Sequence, residues 1–211
     1  MDPEAFVLAH LPPVPARVLE VGCGEGALAK ALARAGYAVT GIDPKAPEGP
    51  LFRRVTLEEL ADPGPLDAVV ASLSLHHVEN LATALDRIDA LLGPRGVVVV
   101  NEFAKERLDR PTAEWYFERR HALAAARGAA AAPGSIDECL REWVDDHADL
   151  HGYEAMRAGL DSRFRERYFA WVPYLHHELG QVASEAEEQE LIDSGAIRAT
   201  GFRYVGETAG R

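Results

Sequence analysis

VLEVGCGEG (residues 18–26) followed by VTGIDP (residues 39–44) is the stretch from which the fold can be read. Residues 17–21 are a short apolar run that predicts a strand. It ends in Gly22, Gly24 and Gly26 at alternate positions, and a helix-forming run, residues 27–35, follows at once. A second short strand then closes on Asp43. A strand, glycine turn, helix, strand and terminal acid in that order suit an adenosine-bearing cofactor. Glycines let the backbone come close to a ligand, and the helix N-terminus offers N–H groups to it. The carboxylate of Asp43, next to Pro44, can accept hydrogen bonds from both ribose hydroxyls.

Outward from this unit, the first half keeps alternating strand and helix. Residues 51–55 predict a third strand and LDAVVASLSL (residues 66–75) a fourth. Asn80 is placed to cap a helix with apolar positions Leu81, Leu85, Ile88 and Leu92, which Gly93 and Pro94 would end. GVVVVNEF (residues 96–103) has unbroken valines, as a strand buried on both faces requires. Such alternation predicts an α/β fold, a parallel sheet with helices on both sides. From about residue 104 to 168 the pattern turns helical, with an alanine-rich patch at 122–132 and a capping box of Ser135 with Glu138. A strand-like segment at 168–175, a helix capped by Ser184 with Glu187 and a last strand in AIRATGFRYVG (residues 196–206) complete the chain.

Composition narrows the partners. At 211 residues the chain reads as one domain, 1–211, with the helical insertion at about 104–168 inside it. A formal net charge of −12 argues against nucleic acid or an anionic membrane surface as a partner. The basic clusters Arg119–Arg120 and RFRER (residues 163–167) read as solvated helix faces. Two cysteines, Cys23 and Cys139, make no disulfide framework, and a cytoplasmic location is expected. The first fifteen residues carry no signal-peptide pattern, and no apolar run approaches membrane-spanning length. A monomer or homodimer is expected.

The glycine turn alone is ambiguous, since Gly22, Gly24 and Ala27 also satisfy the dinucleotide fingerprint of nicotinamide oxidoreductases. Three features weigh against that reading. Glu20 stands two residues before Gly22, the chain ends in a strand–helix–strand unit, and the fourth strand runs into LSLHHV (residues 73–78). The Tyr-x-x-x-Lys pair that would support an oxidoreductase is absent. With Asp43, DAVVASLSLHHV (residues 67–78) and LLGPRGVVVVNEF (residues 91–103), the chain resembles the class I S-adenosylmethionine-dependent methyltransferases. The resemblance implies a Rossmann-like, seven-stranded, mostly parallel sheet, with the insertion acting as a helical lid before the last two strands.

It also implies site residues. Glu20 and the backbone of Gly22, Cys23, Gly24 and Gly26 would hold the methionine end of S-adenosylmethionine, and Asp43 with Pro44 its ribose. Thr56 stands where the family often has an acid, so Thr56 and Leu57 would line the adenine site. Ser72 and Leu73 would run beside the cofactor. The expected activity is methyl transfer to an oxygen or nitrogen of a small molecule. The alternatives are a nicotinamide oxidoreductase or an inactive cofactor-binding protein. Candidates for a general base are His76, His77, Glu102, His147 and His151. His147 and His151 are four apart on an expected helix, a spacing that could hold metal. HADLH lacks the glutamate of HExxH and no third ligand is evident, so packing or substrate contact is expected and no metal.

Overall fold

The computed structural model describes residues 2–127 and 132–208. Its elements are α1 (Pro3–His10), β1 (Arg17–Val21), α2 (Ala27–Arg34), β2 (Ala38–Ile42), β3 (Phe52–Arg53), β4 (Leu66–Ser72), α3 (Leu81–Leu91) and β5 (Leu92–Phe103), then α4 (Arg110–Arg127), α5 (Ile136–Asp146), α6 (Tyr153–Asp161), β6 (Phe164–Val172), α7 (His176–Leu179), α8 (Glu185–Asp193) and β7 (Gly201–Thr208). The strands form a seven-stranded mixed sheet in the order β3-β2-β1-β4-β5-β7-β6. Pairs β2–β3, β1–β2, β1–β4 and β4–β5 are parallel, as the alternation predicts. Val97, Val98, Val99 and Val100 of β5 are all buried, which accounts for a strand that is apolar on both faces.

The order reverses at β1, whose neighbours are β2 and β4. Open α/β sheets bind ligands outside the carboxyl ends of strands at such a switch point. The glycine turn sits there.

Several boundaries differ from the expectation. β3 is two residues long. Gly93 and Pro94 do not separate α3 from β5. Leu92 turns extended (φ −75°, ψ 133°), and the strand starts there, paired with Leu66. β6 begins at Phe164, before residue 168, so RFRER lies largely on a strand and not on a helix face. That strand is at the sheet's edge, and Arg165 is paired with Glu207 and Arg157 with Glu166. Charged side chains on an edge strand blunt its unpaired backbone. The alanine-rich patch is partly within α4, with residues 128–131 outside the described residues. The caps at Asn80, Ser135 and Ser184 are formed as their sequences suggest, each side-chain oxygen accepting the N–H three residues on. α1 had no sequence expectation. Asp2 caps it, Pro3 occupies its first turn, and it buries Phe6 and Val7.

The chain divides into two compact units. The first runs up to Glu102 and includes Glu154–Phe169 and the residues from Arg203 onward; the second comprises Phe103–Tyr153 and Ala170–Phe202.

Candidate cofactor and active site

In the first unit, a cavity of about 770 Å³ opens at the ends of the central strands. Val21 and Gly22 follow from β1, and Ile42, Asp43 and Pro44 from β2. Residues 55–59 follow β3, and Leu73, Ser74 and His77 follow β4. Asn80 and Thr83, at the start of α3, close it.

The three glycines are needed for different reasons. All have positive φ, at 71°, 48° and 75° for Gly22, Gly24 and Gly26. A Cβ on Gly22 would lie 2.4 Å from the Cβ of Ser74, and one on Gly26 would lie 2.3 Å from the Phe52 ring. These two are required by packing. A Cβ on Gly24 would meet nothing within 4 Å, so the middle glycine keeps open space before the backbone.

Most N–H groups of this turn are already engaged. Gly22 and Cys23 donate to the Ile42 carbonyl at 2.8 and 3.0 Å, and Gly26 donates to Cys23 O. Gly24 donates to Asp43 Oδ2 at 3.1 Å, while Asp43 Oδ1 accepts the Lys45 N–H at 2.7 Å. Asp43 thus ties the two strand ends together, and each oxygen retains a lone pair for a further donor. The Cys23 thiol packs against Gly41. Burial, with the charges of Glu20 and Asp43, pushes its pKa up to about 11, so it is no nucleophile.

Glu20 is in β1 between Gly41 and Val70, only 4% exposed. It accepts a backbone hydrogen bond from Ala29 in the first turn of α2, yet its Oε2 has no partner. Burial raises its pKa to about 7, a shift only partly offset by that hydrogen bond. A buried carboxylate oxygen without a donor fits an ammonium group brought by a ligand, such as that of S-adenosylmethionine's methionine end.

Beyond β3, Thr56 and Leu57 do line the cavity, but Thr56 Oγ1 caps the following turn by accepting the Glu59 N–H. Glu58 and Glu59 bring the acid to this wall two and three positions later than expected. Their signal was present in VTLEEL. At the end of β4, Ser72 does not line the cavity; its hydroxyl accepts from Asn101 Nδ2 at 3.2 Å. Leu73 does, held at φ 52°, a left-handed conformation that non-glycine residues rarely adopt outside strained, often functional, positions. Ser74, the next residue, lines it as well.

The histidine pair splits. Glu102 is 1% exposed, and its Oε1 accepts the N–H groups of Ser74 and Leu75 at 2.7 and 2.6 Å. Its Oε2 accepts from His76 Nδ1 at 2.6 Å. Neither Glu102 nor His76 lines the cavity; together they clamp the turn that presents His77, which does. Burial and the neighbouring His76 lower the pKa of His77, so it is neutral at neutral pH.

His147 and His151 belong to the second unit and do not share a helix. α5 ends at Asp146 and His147 is its C-cap. Just past that end, Lys105 Nζ donates to the carbonyls of His147, Ala148 and Leu150 at 2.6, 3.3 and 2.6 Å. Among the described residues no cluster of three or more His, Cys, Asp or Glu could hold a metal.

Residues 4–127 match the family described as Methyltransferase domain. The chain belongs to that family. Its sheet is that of the class I S-adenosylmethionine-dependent methyltransferases. A methyltransferase of Mycobacterium tuberculosis H37Rv described as uncharacterized is 39% identical over 99 residues, 41% of this chain and 50% of that protein. The ubiquinone biosynthesis O-methyltransferase of Azorhizobium caulinodans is 34% identical over 40% of this chain and 39% of its own length. The matches thus span half or less of the length of these curated relatives. Among solved structures, a methyltransferase of Mesorhizobium loti is 19% identical over 95% of each chain, with a TM-score of 0.58. The 1,6-didemethyltoxoflavin N1-methyltransferase of Burkholderia thailandensis, solved with 1,6-didemethyltoxoflavin and S-adenosylhomocysteine bound, is 18% identical over 97% of this chain and 76% of that one, with a TM-score of 0.57. Both share the fold. No helix among the described residues is long and apolar enough to cross a membrane.

Proposed function

We propose that this methyltransferase moves the methyl group of S-adenosylmethionine to an oxygen or nitrogen of a small molecule, within a single domain. The observation that carries this reading is the cavity at the β1 switch point. It has Asp43 on one wall, open space before Gly24 close by, and His77 at the end of β4. When bound, the cofactor supplies a methyl on a cationic sulfonium, already activated for displacement. Glu20 would meet the ammonium of its methionine end, Asp43 its ribose hydroxyls, and Leu57 with Glu58 the adenine side. The chain's remaining task is to hold an acceptor lone pair in line and exclude water. His77, neutral at neutral pH, would take the acceptor's proton, and Glu102 with His76 would position it.

The test is calorimetric titration of the purified chain with S-adenosylhomocysteine and with NAD, followed by transfer of labelled methyl to a panel of phenols, carboxylates and amines. Saturable S-adenosylhomocysteine binding with turnover of an acceptor is expected. Preference for NAD would overturn the reading. Binding with no turnover on any acceptor would favour an inactive cofactor-binding protein.

A further inference from the structure

The second unit holds a cavity of its own, about 250 Å³, that the transfer chemistry does not use. Its walls are Tyr116 and Arg120 of α4, Trp143 and Asp146 of α5, His147 and Glu178. Trp143 stands edge-on to Tyr116, with ring centroids 5.7 Å apart, and lies 4.1 Å from the His147 ring.

The hydrogen-bond inventory shows what this box lacks. Trp143 Nε1 is spent on Lys105 O, and the Tyr116 hydroxyl donates to Glu178. Burial and Glu178 raise the pKa of Tyr116, so it stays protonated. His147 Nδ1 sits 2.7 Å from the Trp143 carbonyl, which can only accept, so Nδ1 bears a hydrogen and in the neutral ring Nε2 is the acceptor. Arg120, the one cation among the lining residues, is held by Glu142 at 2.7 Å. No cation among the described residues pairs with Asp146 or Glu178. Asp146 also closes α5, and the carbonyls just past that end, those of His147, Ala148 and Leu150, are already served by the Lys105 ammonium. Aromatic walls, two carboxylates with no cationic partner among the described residues and an imidazole nitrogen together suit a cationic hydrogen-bond donor.

We infer that this cavity binds a small organic cation, a protonated amine carried on a flat unsaturated ring. The ring lies against Tyr116, Trp143 and His147, and the ammonium is shared by Glu178, Asp146 and His147 Nε2. The fold supports the Glu178 wall from beneath. Buried Glu188 accepts the N–H groups of Tyr174, Leu175 and His176 and the His176 ring at 2.8–3.0 Å, fixing the turn that leads into Glu178.

Benzylamine and its neutral counterpart benzyl alcohol test this by calorimetry at pH 7 on the intact chain, without S-adenosylmethionine, so the outcome is independent of methyl transfer. Benzylamine should bind saturably and benzyl alcohol at least about tenfold more weakly. Asp146→Asn and Glu178→Gln should each weaken benzylamine by roughly tenfold or more and leave benzyl alcohol unchanged. The Asp146 side chain makes no hydrogen bond or ion pair among the described residues, so its variant retains the fold even where Glu178→Gln disturbs Tyr116. Equal affinities for the two probes, no saturable binding of benzylamine, or unchanged binding in Asp146→Asn would overturn the inference.

Discussion

Glu20 makes the first unit's response to pH specific. Its folded pKa, about 7, lies above the ordinary carboxyl value of 4.5. Between those values the folded protein keeps a proton that the unfolded chain releases, so stability falls as pH rises across the window and levels off above it. The full loss is on the order of 3 kcal/mol. Urea unfolding of the ligand-free protein between pH 4.5 and 8 should show this decline, and Glu20→Gln should flatten it relative to the parent. An arriving ammonium would favour the ionised carboxyl. S-adenosylhomocysteine should therefore bind more tightly at pH 8 than at pH 6 in the parent and nearly equally in Glu20→Gln, as calorimetry would read. Two further residues separate packing from chemistry. Gly22→Ala places a Cβ against Ser74 at a strained φ, and should lower the melting temperature as well as cofactor affinity. His77→Ala should leave S-adenosylhomocysteine affinity nearly intact while lowering turnover by about 10²–10⁴-fold. Unchanged turnover would mean that positioning alone carries the transfer.

Elements were legible where a local rule decides them. The unbroken valines of β5, the three helix caps and the strand–glycine–helix turn could be read directly, because each depends on neighbours within a few residues. What escaped depends on distant partners. Glu102 reads from sequence as a general-base candidate, yet its acceptors are taken by a turn 26–28 residues earlier in the chain. Ser72 and Ser74 are two apart, but β4 ends between them, and only Ser74 reaches the cavity. The start of β6 was hidden by RFRER, whose charges suit a solvated helix as well as an edge strand. The turn that follows α5 is likewise held from afar. Lys105 donates from 42–45 residues away, which no periodicity in HADLH announces. Lys105→Met should remove that support and cost about 1.5–3 kcal/mol, seen as a drop of roughly 3–10 °C in Tm. An unchanged Tm would mean that water serves those carbonyls equally well.

At the scale of the whole chain, hydrogen exchange tests the expected role of the second unit's helices as a lid. If it closes over bound substrate as a lid, amides in α4 and α5 should gain protection when cofactor and acceptor are added together, and less with cofactor alone. Identical exchange in all conditions would leave it a static scaffold. The two cysteines extend this to each unit separately. Cys23 lies in the glycine turn of the first and Cys139, fully buried, in α5 of the second; burial raises the pKa of both thiols. Neither meets an alkylating reagent while its surroundings stay shut. The chain therefore carries a native pair of opening clocks, one per unit, requiring no engineered label. Pulsed alkylation read by peptide mass would time the loosening of the cofactor turn and of α5 independently, and a bound ligand should slow the clock nearest to it.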